Sequence, residues 1–492
     1  MTSVSALASL PASAGTGYGF RDVTDAAGLA HARTGTWGSS WNDHDGDGWA
    51  DLFIGRHGVQ PLFYRGSNGT YERVRYDFVD PPGYDAGDGD TWVDRHTCAW
   101  GEATGDGTPD LYCTVGANVG TSVGPNQLLV RTPTGIRDVA RAYRVRDRYG
   151  RGRSVNWLDF DTDGDLDLFL GNWQRDGHAS AMFENTRGEF RRVTVGVEDK
   201  LRTISSSWSD WDRDGDPDLL VMQYTAPTIA YENRGGRYVR VDLPFVTSAN
   251  WHSASWGDFN ADGWTDLHVV NDTRSLILKN ERGRFSVEDS RSVREGRMGA
   301  WLDVENDGDQ DLFLVQGAPG ITPSAEALNH RDFLLVRRAG RFEPVRRESF
   351  RGPTGGNGDG ATVSDHDHDG RQDLLVTNGY FEYEQWVGRT VLLENRIDAA
   401  SWVAVQLLGK RWNPMGIGAR VRVESAGKVL LREITDGVSF RGQSEVSRVH
   451  LGLGRGSVEP VLVRVKWPGG STDCAAGLRG QTIAVAQDSQ PC

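Results

Sequence analysis

The sequence predicts an all-β fold, a seven-bladed β-propeller followed by a small C-terminal β-sandwich, on three observations. A nine-residue block rich in aspartate recurs seven times, the apolar runs between blocks are strand-short, and glycine accounts for 62 of 492 residues, roughly twice its ordinary share. The blocks begin at Asp43, Glu102, Asp159, Asp210, Asp258, Asp303 and Asp365, so successive starts lie 59, 57, 51, 48, 45 and 62 residues apart. Each interval suits one four-stranded blade with variable loops. Residues 20–396 are then the propeller, 397–492 a further β domain, and 1–19 an N-terminal tail or remnant targeting segment.

The flanks of the block place it within its blade. A tryptophan stands two residues before the first acid in six of the seven copies (Trp41, Trp100, Trp157, Trp208, Trp256 and Trp301), with Val363 in the seventh. The small residues before it, as in Ser205-Ser-Ser-Trp208, suit an innermost strand crowded around a propeller axis. An apolar run such as Leu168-Phe-Leu170 follows the ninth position and reads as a buried second strand. Hairpin signatures come next, Phe183–Phe190 and Tyr231–Tyr238, with glycine supporting the turn between strands three and four. The outer strand reads F/Y-x-x-V, as in Phe190–Val193, Tyr238–Val241 and Phe342–Val345. One more copy, Phe20–Val23, precedes the first block; as the outermost strand of the last blade it closes the ring and removes exposed edges.

Within a block, oxygen-bearing side chains fall at positions 1, 3, 5 and 9, with glycine at position 6 for a sharp turn. That is the chemistry of a hard-cation site, close in spacing to the start of an EF-hand loop. The candidate ligands are Asp43, Asp45, Asp47 and Asp51; Asp159, Asp161, Asp163 and Asp167; Asp210, Asp212, Asp214 and Asp218; Asp258, Asn260, Asp262 and Asp266; Asp303, Glu305, Asp307 and Asp311; and Asp365, Asp367, Asp369 and Asp373. Calcium fits best, because magnesium keeps several waters and zinc prefers histidine or cysteine. In the second block Glu102 and Thr104 replace the first two aspartates, so weak or no binding is expected there and about six calcium ions in all. These acids read primarily as staples for the blades, since metal binding contributes to folding. Six divalent ions add twelve positive charges and bring the formal charge of −14 to about −2.

The acidic balance argues against nucleic acid or an anionic membrane as partner. No apolar stretch reaches the ~18 residues of a membrane-spanning helix. Residues 1–16 are small and apolar but lack a basic start and a long apolar core, so a complete secretory signal is not evident. The cysteines form two local pairs, Cys98 with Cys113 and Cys474 with Cys492. They fit either two disulfides in an oxidising compartment or thiols in a cytoplasmic protein; neither pair has the CxxC spacing of zinc or thioredoxin-like chemistry.

Blocks and flanks together resemble the FG-GAP or VCBS repeat of integrin α-subunit propellers and bacterial surface proteins, over about residues 20–396. The remainder is similar to the ASPIC/UnbV domain, on the segments Trp402–Gly409, Asn413–Arg420, Gly437–Phe440, His450–Gly454 and Trp467–Gly470. The combination resembles the cartilage acidic protein-like architecture. That resemblance implies a secreted or surface calcium-binding protein, with UnbV-type members associated with enediyne gene clusters. The second block and the long Asp80–Asp94 insertion before it depart from the pattern.

No nucleophile elbow, Walker loop, dinucleotide fingerprint or HExxH motif occurs. Six residues before each first acid, about 20 Å back along a strand, the opposite channel mouth should present Trp37, His96, Arg153, Ile204, His252, Arg297 and Asp359. A solvated rim is the plain reading. His96, His252, Arg153, Arg297 and Asp359 also suit an anion-binding or acid–base site. The expected function is a calcium-binding, extracellular or cell-surface propeller holding a small-molecule, carbohydrate or protein ligand at this mouth. The alternative is a calcium-dependent, cofactor-free enzyme of natural-product biosynthesis, of cyclase or alkyl-transfer type, with His96 or His252 as base; a cytoplasmic location accords with the incomplete signal.

Overall fold

The computed structural model describes residues 19–29, 36–56, 61–75, 95–116, 125–133, 135–173, 178–317, 332–345, 358–378, 390–398, 400–439, 442–456 and 460–492. The tail before residue 19, the Asp80–Asp94 insertion and the side chains of Trp37 and Asp359 lie outside them. Every regular element among the described residues is a strand, and none is a helix long and apolar enough to cross a membrane.

The acidic block organises each repeat. The strands Thr36–Asn42, Arg95–Gly101, Gly152–Leu158, Thr203–Ser209, Ser253–Gly257, Gly296–Leu302 and Gly358–Ser364 run into the blocks, and the next strands start on the ninth residues Asp51, Asp110, Asp167, Asp218, Asp266, Asp311 and Asp373. The pairing is antiparallel, and two further strands complete each sheet. In the last of these sheets the fourth strand is Phe20–Asp22, paired with Val391–Asn395 in the register Phe20 to Asn395. The result is an all-β, propeller-like stack of small sheets.

Small residues and tryptophans join the first strands of neighbouring sheets. Ser40 Oγ donates to Cys98 O at 2.6 Å, Thr97 Oγ1 to Arg153 O at 2.7 Å, and Ser205 Oγ to His252 O at 2.5 Å, while Ser154 and Ser206 share a hydroxyl bond of 2.6 Å. The indoles reach backward: Trp157 to Ala99 O, Trp208 to Trp157 O, Trp301 to Ser255 O, and Trp41 to Thr362 Oγ1 in the final sheet. The Ala361 amide donates to Met298 Sδ at 3.1 Å. Trp41, Trp100, Trp157 and Trp208 are buried, so this column is core and no binding stripe. Gly101 must lack a side chain, because a Cβ there would lie 2.2 Å from Trp157.

The first strand pair repeats an irregularity. Residues 37, 153, 204, 297 and 359 are each the extra residue of a β-bulge, and in the second sheet the extra residue lies between Arg95 and Cys98. Only the pair beginning at Ser253 is regular. A bulge re-aims a side chain that a regular pleat would send into a neighbouring sheet.

The C-terminal region holds a three-stranded sheet (Arg448–Gly454, Ser401–Leu408, Gln481–Ala486) and a four-stranded one (Lys428–Glu433, Arg420–Ser425, Val461–Lys466, Thr472–Gly477). They share an apolar core that includes Val403, Val405, Leu407, Val421, Val423, Val463 and Val465. A hairpin, Val438–Ser439 with Gly442–Gln443, leaves this unit and adds to the first sheet, with Gln443 opposite Ser40. Both cysteine pairs are disulfides, Cys98–Cys113 across adjacent strands and Cys474–Cys492 at the C-terminus.

Candidate metal centres and the opposite rim

All seven blocks close in one conformation. The position 6 glycines, Gly48, Gly107, Gly164, Gly215, Gly263, Gly308 and Gly370, have φ between 84° and 107°. Position 4 is left-handed as well, even where it is Thr162, Arg213, Ala261, Asn306 or His368. The first acid accepts the amide of position 6, as Asp159 Oδ2 does from Gly164 at 3.1 Å and Glu102 Oε2 from Gly107 at 3.0 Å. The fifth accepts that of position 7, as Asp163 Oδ1 does from Asp165 at 2.9 Å.

This closure brings carboxylates together. Asp43, Asp45 and Asp51; Asp159, Asp161 and Asp167; Asp210, Asp212 and Asp218; and Asp365, Asp367 and Asp373 each offer oxygens within 4.8 Å of one another. Buried Asp159 Oδ1, Asp161 Oδ1 and Asp210 Oδ1 accept no hydrogen bond. Burial, then mutual repulsion, pushes Asp159 up to about 7; burial likewise raises Asp51 and Asp210 to about 7 and Asp365 to about 6. In the third and fourth blocks these unsatisfied oxygens fit a divalent cation, whose charge would restore the ionised state. Several of the acidic groups could therefore hold metal ions.

The expected quartets converge in part. Positions 1, 3 and 9 meet in four blocks, whereas position 5 enters a group only as Asp369, with Asp367 and Glu394. Glu394 lies outside the block, on the third strand of the last sheet, and pairs with Arg396 at 2.6 Å. In the fifth block Asn260 supplies an amide, and in the sixth Glu305 pairs with Arg338 at 3.2 Å. In the second block Glu102 Oε1 accepts the Thr104 and Gly105 amides, and Asp110 Oδ2 accepts those of Ala103 and Thr104.

Sequence reasoning missed two parts of these sites. The ninth carboxylate bridges strands: Asp218 takes Trp211 N on Oδ2 and Asn233 N on Oδ1, and Asp266 and Asp373 do the same with their counterparts. The hairpin asparagines bind the preceding sheet, with Asn233 Nδ2 on Phe160 O at 2.7 Å and Asn280 Nδ2 on Trp211 O at 2.8 Å. The recurrent Glu-Asn of the hairpin was the available signal. The C-terminal region also lies on the loops: Arg420 donates to Asp210 Oδ2 at 2.7 Å and Arg448 to Asp365 Oδ2 at 3.1 Å.

At the other end of the first strands, several of the rim candidates gather in two clusters. His96 Nε2 lies 2.8 Å from Gly116 O, which also accepts Arg153 Nη1 at 3.2 Å. The Arg153 and Arg151 guanidinium groups lie 5.6 and 5.7 Å from the Trp173 ring, which packs on Tyr224 at 4.6 Å. His252 Nδ1 stands 3.5 Å from Asp272, a half-exposed carboxylate 3.9 Å from Arg297. Ile204 instead is partly buried against an apolar cluster that includes Trp251. Trp173, Tyr224 and Asp272 follow the second strands, outside the six-residue count that found the others.

Residues 409–490 match the family described as ASPIC and UnbV, and residues 159–221 and 210–269 match the FG-GAP-like repeat. No curated protein matches the chain. Among solved structures, an Agrocybe aegerita lectin described for recognition of non-reducing terminal N-acetylglucosamine is similar at 14% identity, covering 71% of this chain and 91% of its own, with a TM-score of 0.42. BBS1N in complex with ARL6DN is similar at 10% identity, over 75% and 95%, with a TM-score of 0.44. Saccharomyces cerevisiae Sqt1 is similar at 10%, over 70% and 80%, with a TM-score of 0.40.

Proposed function

We propose, from a chain that carries FG-GAP-like repeats and a C-terminal ASPIC/UnbV domain, that residues 20–396 are a closed seven-bladed propeller stapled by calcium and that residues 397–492 are a β-sandwich. The protein is extracellular or cell-surface and binds a small molecule, carbohydrate or protein at the channel mouth formed by the bulges. The closed ring is supported by the bonds that run from sheet to sheet and by Trp41, which returns to Thr362 at 2.8 Å. The two disulfides support an oxidising compartment.

The calcium reading is carried by one observation: carboxylates of three positions converge within 4.8 Å while buried oxygens of Asp159, Asp161 and Asp210 accept no bond. The ligands are the aspartates, Asn260 and Glu305 at positions 1, 3, 5 and 9, with the second block excluded. Calcium dialysis on the full chain tests it. About six ions per chain are expected, falling by one in Asp161→Asn and unchanged in Glu102→Gln. Absence of saturable calcium binding would refute the reading.

A second reading, a cofactor-free enzyme of natural-product biosynthesis, is favoured by the His252–Asp272 pair beside Arg297. A carboxylate orienting a histidine near a guanidinium suits proton transfer to or from an anionic intermediate. Turnover that survives His252→Ala would remove this reading.

A further inference from the structure

The hairpin of the C-terminal region occupies the end of the first strands nearest the acidic loops. Gln443 closes a two-way bond with the backbone of Trp100, accepting its amide at 2.6 Å and donating to its carbonyl at 3.0 Å. Asp436 Oδ2 accepts Asn156 Nδ2 at 2.9 Å and the Trp157 amide at 3.0 Å. The Glu445 amide donates to Val363 O at 3.1 Å, and Glu445 Oε2 accepts the Ser364 hydroxyl at 2.7 Å. One short segment thus touches the first strands of the first, second, third and last sheets, and on the ring reading it stands in the channel end.

The unit that carries this hairpin grips the loops by atoms whose positions depend on loop closure. Arg420 donates to Asp210 O as well as its carboxylate, and Arg448 to Asp365 O as well as its carboxylate. The Gly454 amide donates to Asn306 O at 2.7 Å, His450 Nε2 bonds Asn306 Oδ1 at 2.7 Å, and Lys428 Nζ donates to Asp307 O at 2.9 Å. Arg411 Nε donates to Gly105 O. Gly105 and Asn306 are left-handed position-4 residues, and Gly370, a left-handed position-6 residue, lies against Trp402 so closely that a Cβ would come within 1.8 Å of its indole. The Gly105 and Asn306 carbonyls belong to left-handed residues, so their direction follows the closed conformation of the loop. In the gripped loops other than the second, which the calcium reading excludes, a cation at the carboxylates favours that conformation, and stripping it leaves like charges that push the loop open.

We propose that cation loading of the loops and seating of the C-terminal hairpin are coupled, so that the hairpin is a metal-dependent plug of the channel end. The inference rests on the calcium reading of the loops and adds a regulation to it. Arg420 and Arg448 are positioning residues in this scheme: each holds Oδ2 of a first-position aspartate, and at Asp210 this leaves the unpartnered Oδ1 for the ion. Binding energies are reciprocal, so whatever calcium contributes to seating, seating returns to calcium affinity.

Hydrogen exchange by mass spectrometry on the full chain, in calcium chloride and in EGTA, tests the coupling. Chelation is expected to raise exchange at least tenfold both in the loops and in residues 434–446, while the strands Asp167–Asn172 and Asp218–Gln223 stay protected. Reciprocity gives a second arm. Gln443→Ala touches no acidic loop, yet it should weaken calcium binding several-fold. Loops that open while the hairpin stays protected, or a Gln443→Ala hairpin that loosens with calcium affinity unchanged, would overturn the coupling and leave the calcium reading intact. If neither loops nor hairpin respond, the calcium reading itself fails. Uniform loss of protection in every strand would mean that the hairpin is no separate element and would also overturn the proposal.

Discussion

Asp167 Oδ1 accepts the backbone N–H of Asn185 at 2.7 Å while its Oδ2 accepts that of Phe160 at 2.9 Å, so one fully buried carboxylate ties the loop to the third strand of its sheet. The ninth acid is therefore a strand bridge whether or not a cation is present. Asp167→Asn places an amide donor against a backbone donor and should lower stability by about 1–3 kcal/mol, in EGTA as well as in calcium. Asp161→Asn alters an oxygen that no protein group uses and should destabilise only in calcium. Urea unfolding of both variants in both buffers checks the contrast.

Calcium removal should lower the melting temperature sharply. Each site at a free calcium concentration 100 times its dissociation constant contributes about 2.7 kcal/mol. A melt insensitive to EGTA, followed by calorimetry, would count against the calcium staples.

The response to pH should invert with metal. Without a cation, Asp51, Asp159, Asp210 and Asp303 titrate at about 7 in the folded chain, far above the ordinary carboxyl value, because burial disfavours their ionised forms. The folded state then binds more protons than the unfolded state between about pH 4 and 7, so this contribution to stability is lost as pH rises through about 7. Melting temperature in EGTA should fall from pH 5 to pH 8. In saturating calcium it should rise over the same range, since the ion binds only the ionised groups.

Two glycines at the same loop position should behave differently. Gly164 has φ 95° with nothing near a prospective Cβ, so Gly164→Ala meets only backbone strain, about 1–2 kcal/mol. At Gly370 the Cβ would strike the Trp402 indole. Gly370→Ala should cost more and release the C-terminal unit, read as increased exchange in residues 448–454.

At the rim, His252→Ala and Arg297→Ala should leave calcium-dependent melting unchanged while abolishing ligand binding or turnover. Glycan-array and metabolite screening with calcium present supply the ligand. Retained binding in both variants would place the site elsewhere.

The sequence by itself determined the repeat, the strand order and the loop chemistry. These are local: Trp, block and apolar run follow one another within 14 residues, as in Trp157–Leu170, and the β period of two with a glycine-closed turn leaves them one arrangement. The N-terminal strand Phe20–Asp22 was legible too, since the same pattern stood where no block preceded it. Tertiary structure alone decided the rest. The bulges turn Arg153 toward Gly116 and Trp173 and Arg297 toward Asp272, partners contributed by the ends of other strands. The hairpin bond between Gln443 and Trp100 spans 343 residues, and Arg420 meets Asp210 across 210. No periodicity records such contacts, because they depend on how finished sheets and a second unit fit together once each has buried its own core.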